Sequence, residues 1–299
     1  MLSTEFCADP ERFAALIAPL VDVDRAGAVM VSQLVANHLV SPYPQAPLLA
    51  AVGDGTQVSV AAVRVPSYPM VVTVDPTLRD PAAALDALTA AVLDRGEPIV
   101  GFVGRRTTAE LISQIWCNRT GAAAVPRMWE LYYRLGELRE PGRVRGEPRQ
   151  ASMKDPADVA LLADWFCEFR KETGISRTPP VPDPDSLRQN AERGEIVMLW
   201  CVDGRPVAAA GHGPVRAGAS KIAPVYTPPD QRRRGYGAAA TVAAIRSARR
   251  LGAAEITLFT DADYPASNAC YLGLGFEVVG EFAEFDVLPA AMTAPVSAG

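Results

Sequence analysis

Residues 222–238 read I-A-P-V-Y-T-P-P-D-Q-R-R-R-G-Y-G-A. The first five are apolar and β-prone, and Pro228-Pro229 ends the run because proline donates nothing to a strand ladder. Gly235 and Gly237 are spaced as glycines are where backbone must approach a ligand closely, and Ala238 opens a run of helix formers to Leu251. The stretch is therefore a strand, a glycine-bearing loop and a helix N-terminus. The first amides of a helix have no intrahelical partner, and the macrodipole adds partial positive charge, so phosphate is a natural ligand there. Arg232, Arg233 and Arg234 add forked donors.

The two commonest glycine-rich cradles do not fit. A P-loop needs a Gly-Lys-Ser/Thr ending, and a dinucleotide fingerprint needs G-x-G-x-x-G with an acidic residue about twenty positions on. The spacing Arg232-x-x-Gly235-x-Gly237 instead resembles the Q/R-x-x-G-x-G/A signature of the GNAT superfamily, the acyl-CoA-dependent N-acyltransferases. The run from Asn268 to Phe276, N-A-C-Y-L-G-L-G-F, is similar to that family's N-x-x-x-x-x-x-G-F segment.

The resemblance implies an α/β fold with a central mixed sheet flanked by helices, acetyl-CoA as cosubstrate and no metal. It implies that Arg232, Arg233, Arg234, Gly235, Tyr236, Gly237 and Ala238 wrap the coenzyme pyrophosphate. Val225, Tyr226 and Thr227 would lie along the pantetheine arm on a splayed strand, with an N–H of Tyr226 or Val225 as oxyanion donor. Asn268 would support the same arm or cap its own helix. Tyr271 would protonate the departing thiolate as general acid. The strand before the loop has no carboxylate to serve as base. His212, within Gly211-His212-Gly213, is the candidate for that role, ahead of Glu168 and Glu172. A reading of another class is a non-catalytic acyl-CoA-binding sensor, which would bind coenzyme and acylate nothing.

Composition sets the outer bounds. The chain has 299 residues, 49% hydrophobic and 21% charged, with net charge −5, so nothing global attracts nucleic acid or an anionic membrane. The beginning carries acidic residues and lacks a basic, apolar leader, and no run of eighteen apolar residues follows, which points to a cytoplasmic protein. Five dispersed cysteines without a C-x-x-C pair argue against disulfides or a zinc knuckle. The expected partners are acyl-CoA and an unidentified amine acceptor, with a homodimer left open.

In chain order, residues 1–47 read as helical. Residues 48–52 and 58–63 flank a Gly53-Asp54-Gly55-Thr56 turn as a hairpin, and 70–74 make a third strand. A helix at 82–93, a strand at 99–103, a helix at 109–116 and a strand at 129–135 follow. A strand at 222–226, the helix after the loop, a strand at 256–260, a helix and a strand at 278–285 repeat that order, which predicts two GNAT-like domains. Between the corresponding elements the first copy lacks the length of the arginine-glycine loop, so it should carry no phosphate cradle. The expected division is a degenerate domain at 1–140, a linker at 141–150 rich in Pro, Gly and charge, a catalytic domain at 151–290 and a tail at 291–299. Asp155 and Asp185 are the expected caps of the second domain's first two helices.

Overall fold

The computed structural model describes residues 2–216 and 218–289. The expected tail lies outside them. Two compact units result, one made of the chain up to Leu131 together with the chain from Gly280 onward, the other of Tyr132–Val279.

In the first unit, β1 (Ser3–Phe6), α1 (Pro10–Val23) and α2 (Val29–Val40) precede β2 (Leu48–Gly53), β3 (Val58–Arg64) and β4 (Met70–Val74). Then come α3 (Pro81–Asp94), β5 (Gly101–Arg105), α4 (Arg106–Thr120) and β6 (Ala123–Leu135), whose last residues pass into the second unit. The order β1-β2-β3-β4-β5 is antiparallel except for the parallel β4–β5 pair. Strand alternation sorts the core between two helical layers. Ala50, Val52 and Ala62 pack with Leu85 and Leu88 of α3, while Leu49, Ala51, Ala61 and Val63 pack with Phe13 and Ile17 of α1. The Asp54 carboxylate holds the β2–β3 turn by accepting from the amides of Thr56 at 2.8 Å and Gln57 at 3.0 Å. β1 departs from the helical reading of residues 1–47. Four residues of mixed polarity carry no periodicity, and only pairing with β2, Ser3 opposite Gly53, reveals the strand.

The second unit contains β7 (Glu147–Gln150), α5 (Pro156–Thr173), α6 (Pro184–Glu192), β8 (Ile196–Val202), β9 (Arg205–His212) and β10 (Ala219–Tyr226). Next are α7 (Tyr236–Arg250), β11 (Glu255–Asp261), α8 (Pro265–Gly273) and the start of β12 (Phe276–Leu288). Its order is β7-β8-β9-β10-β11, followed by β6, whose Tyr132 stacks on Phe259 of β11 at 4.5 Å. Thus β4-α3-β5-α4-β6 recurs as β10-α7-β11-α8-β12, the expected repeat. α5 starts at Asp155, whose carboxylate accepts from Ala157 N at 2.9 Å. The cap of α6 is Asp183 rather than Asp185. The helix opens on Pro184, where a missing N–H removes no intrahelical bond, and Asp183 reaches Ser186 N at 2.9 Å.

Two features differ from the division expected from composition. Residues 147–150, read as linker, are an edge strand on β8, with Gln150 opposite Met198. Arg149 of that strand forks onto the buried Asp158 of α5 at 2.6 and 2.7 Å. Charge and proline are what an exposed edge strand carries, so its composition resembles a linker's. The end of β12 belongs to the first unit, where Phe282–Asp286 pair antiparallel with β5.

Candidate active site

β10 is the strand on which the site is built. Its parallel register with β11 covers only Ala219–Lys221 opposite Glu255–Thr257, although β10 continues to Tyr226 and β11 to Asp261. The two strands therefore part over their last turns of chain. On the other edge, Val225 and Tyr226 stay paired with Ala210 and Ala209 of β9 after a register shift that leaves Ala223 and Pro224 out of the ladder. Successive N–H groups along a strand point to opposite edges, so one of the Val225 and Tyr226 amides faces the gap beside β11. The equivalent gap in the first unit is short: β4 and β5 are paired from Met70 to Val72, and β4 ends at Val74.

The loop from Thr227 to Gly235 contains a 3-10 turn at Pro229–Gln231, and then Gly235 takes φ +80° as the residue before α7. No side chain caps this helix. Its first intrahelical bond is Ala239 N to Gly235 O, which leaves the amides of Tyr236, Gly237 and Ala238 aimed outward at the positive end of the dipole. The space here suits glycine: a Cβ at Gly237 would stand 3.0 Å from Thr227 Oγ1, and one at Gly235 3.2 Å from Val144 Cγ2. In the first unit, by contrast, Asp80 accepts from Ala83 N and caps α3, and the buried Asp75 carboxylate accepts from Thr77 N and Thr77 Oγ1. There the chain's own carboxylates accept from an amide of the loop and one of the helix start.

The three arginines divide by role. Arg232 donates through Nε to Thr227 O at 2.9 Å and through Nη2 to both oxygens of Glu172 on α5 at 2.6 and 2.8 Å. It ties the loop to its own origin and to α5. Arg233 and Arg234 are exposed, and Arg233 sits at φ +61°. Arg234 lines a groove of 580 Å³ with Arg145, Arg205, Asp203 and Tyr236. Arg145 and Arg205 were not singled out from the sequence, since one lies in the supposed linker and the other in a hairpin turn. Glu172, considered as a base, is instead the loop's ion-pair partner and also approaches the Tyr226 hydroxyl at 3.5 Å.

Tyr271 of α8 is buried, with its ring 5.8 Å from that of Phe276 and 6.3 Å from that of Tyr133. Burial pushes its phenol well above the usual range, so it stays protonated at neutral pH. Asn268 neither caps α8, whose N-cap is Tyr264, nor keeps its amide available. Its Nδ2 donates to Asp261 O and Ala262 O at 3.1 Å, and its Oδ1 accepts from Tyr133 Oη at 3.3 Å. It fastens the β11–α8 turn.

His212 is almost fully buried, with Nδ1 2.9 Å from Gly213 O and Nε2 3.0 Å from Ser247 Oγ of α7. Desolvation lowers its pKa. Alternation along β9 places Ala209 against Leu162 and Phe166 of α5, whereas His212 turns to α7 on the opposite face. Its ring holds β9 to α7, although the residue also lines the cleft between α5, α6 and the sheet.

With this geometry in view, the sequence model of the acetyltransferase (GNAT) family matches residues 160–276. Residues 160–276 form a GNAT acetyltransferase domain. The matched segment contains β10, the loop, α7, β11 and α8, which are the elements that build the opening just described. No curated protein matches the sequence. A GCN5-related N-acetyltransferase from Sphaerobacter thermophilus is similar in structure, with TM-score 0.62 and 16% identity over 95% of each chain. A GCN5-related N-acetyltransferase from Kribbella flavida gives TM-score 0.55 and 19% identity over 87% of this chain and 95% of that one. A tandem GNAT protein from the clavulanic acid biosynthesis pathway gives TM-score 0.61 and 12% identity over 96% of this chain and 98% of that one. At these identities the likeness is one of fold, and it extends over both units. Family and fold support acyl transfer, with acetyl-CoA as the cosubstrate characteristic of the GNAT family. Among the described residues, no helix is long and apolar enough to cross a membrane.

Proposed function

We propose that the protein is an N-acetyltransferase that moves the acetyl group of acetyl-CoA to a primary amine, with one coenzyme site, in the second unit. The observation that carries this reading is the uncapped N-terminus of α7 beside a strand that has parted from its neighbour. The amides of Tyr236, Gly237 and Ala238, with Arg233 and Arg234 near them, hold the pyrophosphate. Val225, Tyr226 and Thr227 run beside the pantetheine arm. Acetyl-CoA, when bound, supplies an activated acyl group as a thioester. Everything else is positioning by the chain, and a gap-facing amide of Val225 or Tyr226 stabilises charge on the acyl oxygen. Tyr271 holds the proton that the leaving sulfur takes, and its burial keeps that proton in place until then. Arg232 acts at one remove by fixing the loop to α5.

Replacement of Tyr271 by Phe tests the reading. The ring and its contacts remain while the hydroxyl is lost, so turnover should fall by about a hundredfold or more with acetyl-CoA affinity unchanged. Unaltered turnover would remove Tyr271 from the reaction. Coenzyme binding with no acylated amine under any condition would favour the sensor reading, which the absence of a carboxylate on β10 keeps in view.

A further inference from the structure

We infer that the groove between the β8–β9 turn and the start of α7 binds a phosphomonoester, a second anion beyond the pyrophosphate, and that Arg145 and Arg205 recognise it. The phosphate has two sources. One is the 3′-phosphate of the coenzyme, which rests on the proposed acetyl-CoA reading, and the other is a separate phosphate ester. The groove, of 580 Å³, receives arginines from three separate stretches of chain: Arg145 before β7, Arg205 at the start of β9 and Arg234 beside Gly235. Arg232 is committed to Glu172 instead. Asp203 is the one carboxylate in the lining, so the three guanidinium groups keep two positive charges uncompensated. A phosphomonoester carries about that much opposite charge at pH 7, and it presents three acceptor oxygens to donors arriving from different sides. A carboxylate, by contrast, is satisfied by a single guanidinium fork.

The frame of the groove is fixed by the fold. Trp200 Nε1 donates to Arg145 O at 2.9 Å, and Gly146 follows at φ +113°, where a Cβ would collide with Cys201 O. Asp203 accepts from Arg145 Nη2 at 2.6 and 2.8 Å, which holds the side chain while leaving its Nε and Nη1 to a ligand. Asp203 at φ +50° and Gly204 at φ +74° make the tight turn that sets Arg205 at the head of β9. Among the described residues, neither Arg205 nor Arg234 joins an ion pair, and Arg234 reaches Gln231 Oε1 only at 3.5 Å.

Val202, Pro206 and Val207 give the groove an apolar wall, which suits the sugar or ring body that carries a phosphate ester. Tyr236 lines it as well, and the Tyr236 amide is one of those left open at the start of α7. The groove therefore adjoins the proposed pyrophosphate site, yet two of its three arginines lie outside the glycine-arginine loop.

The test is calorimetry on the full chain with acetyl-CoA, acetyl-3′-dephospho-CoA and inorganic phosphate. Where the coenzyme supplies the phosphate, wild type should bind acetyl-CoA about tenfold or more tightly than the dephospho form, and Arg145→Gln/Arg205→Gln should bind the two alike. That preference should fade as pH drops through about 6, where the dianion takes up a proton. Where a separate ester supplies the phosphate, wild type should bind both coenzyme forms alike, and inorganic phosphate should bind the acetyl-CoA-saturated wild type but not the saturated double variant. Arg205→Gln alone, which breaks no ion pair, should show part of the same loss. Equal affinity for both coenzyme forms with no phosphate bound, or a preference or phosphate affinity that survives both substitutions, would overturn the inference and leave the proposed function standing. If wild type binds neither coenzyme form, the proposed function fails. Inorganic phosphate titrated into the free wild type and the double variant then decides the groove by itself: weaker binding by the variant supports it, and equal binding overturns it.

Discussion

At Gly235 two constraints meet: a backbone φ of +80°, which L side chains rarely adopt, and a neighbour, Val144, 3.2 Å from where a Cβ would stand. Gly235→Val should therefore weaken acetyl-CoA binding by about tenfold or more and lower folding stability by about 1–3 kcal/mol. Titration calorimetry and urea unfolding read the two effects, and full affinity in the variant would contradict the cradle. The sequence made the need for glycine legible here, because a turn into a helix N-terminus leaves few other choices. It did not reveal which arginine would be spent on structure. Arg232 is the residue that matches the family signature, yet its guanidinium grips Glu172, sixty positions earlier. Asn268 was hidden in the same way, since Tyr133, 135 positions away, completes its hydrogen bonds.

At the level of elements, the edge strand β7 and α5 are joined by Arg149 and Asp158. The Asp158 carboxylate is 4% exposed, accepts from both guanidinium nitrogens of Arg149 and also from Ser152 N at 2.8 Å. The Arg149 hydrogen bonds are the main cause holding its pKa below the ordinary aspartate range, against desolvation. The unfolded chain thus binds this proton more readily than the folded one. The stabilisation is present above about pH 4 and is lost as pH falls through the folded value. Urea unfolding of wild type and Asp158→Asn should differ most near neutrality and converge in acid. A constant difference at every pH would remove Asp158 as a source of acid sensitivity. Element positions were mostly readable from periodicity and from Pro and Gly punctuation, as α5 illustrates with Asp155-Pro156 at its start and Gly174 at its end. β7 was not, because an exposed edge strand lacks the apolar alternation that marks a buried one. The sidedness of His212 was latent in the pattern. Counting along β9 by twos from Ala209 already separates it from the α5 face.

On the scale of the whole chain, the repeat of strand, helix, strand, helix, strand is plain in the sequence, but the course of its last strand is not. Phe282–Asp286 pair with Gly101–Arg105, a contact some 180 residues apart that no local pattern encodes. A chain cut near residue 140 would lose this partner of β5 and expose its edge, so binding is best measured on the intact protein. The two copies also diverge in the one respect that matters for chemistry. Asp75 and Asp80 accept from Thr77 N in the first unit's loop and from Ala83 N at the start of α3, while the start of α7 has no side-chain cap. The central claim, one coenzyme site in the second unit, is tested most directly by titrating acetyl-CoA into the full-length protein in a calorimeter, alongside Gly235→Val. The account predicts one acetyl-CoA bound per chain, weakened in the variant; two sites per chain, or none, would contradict it.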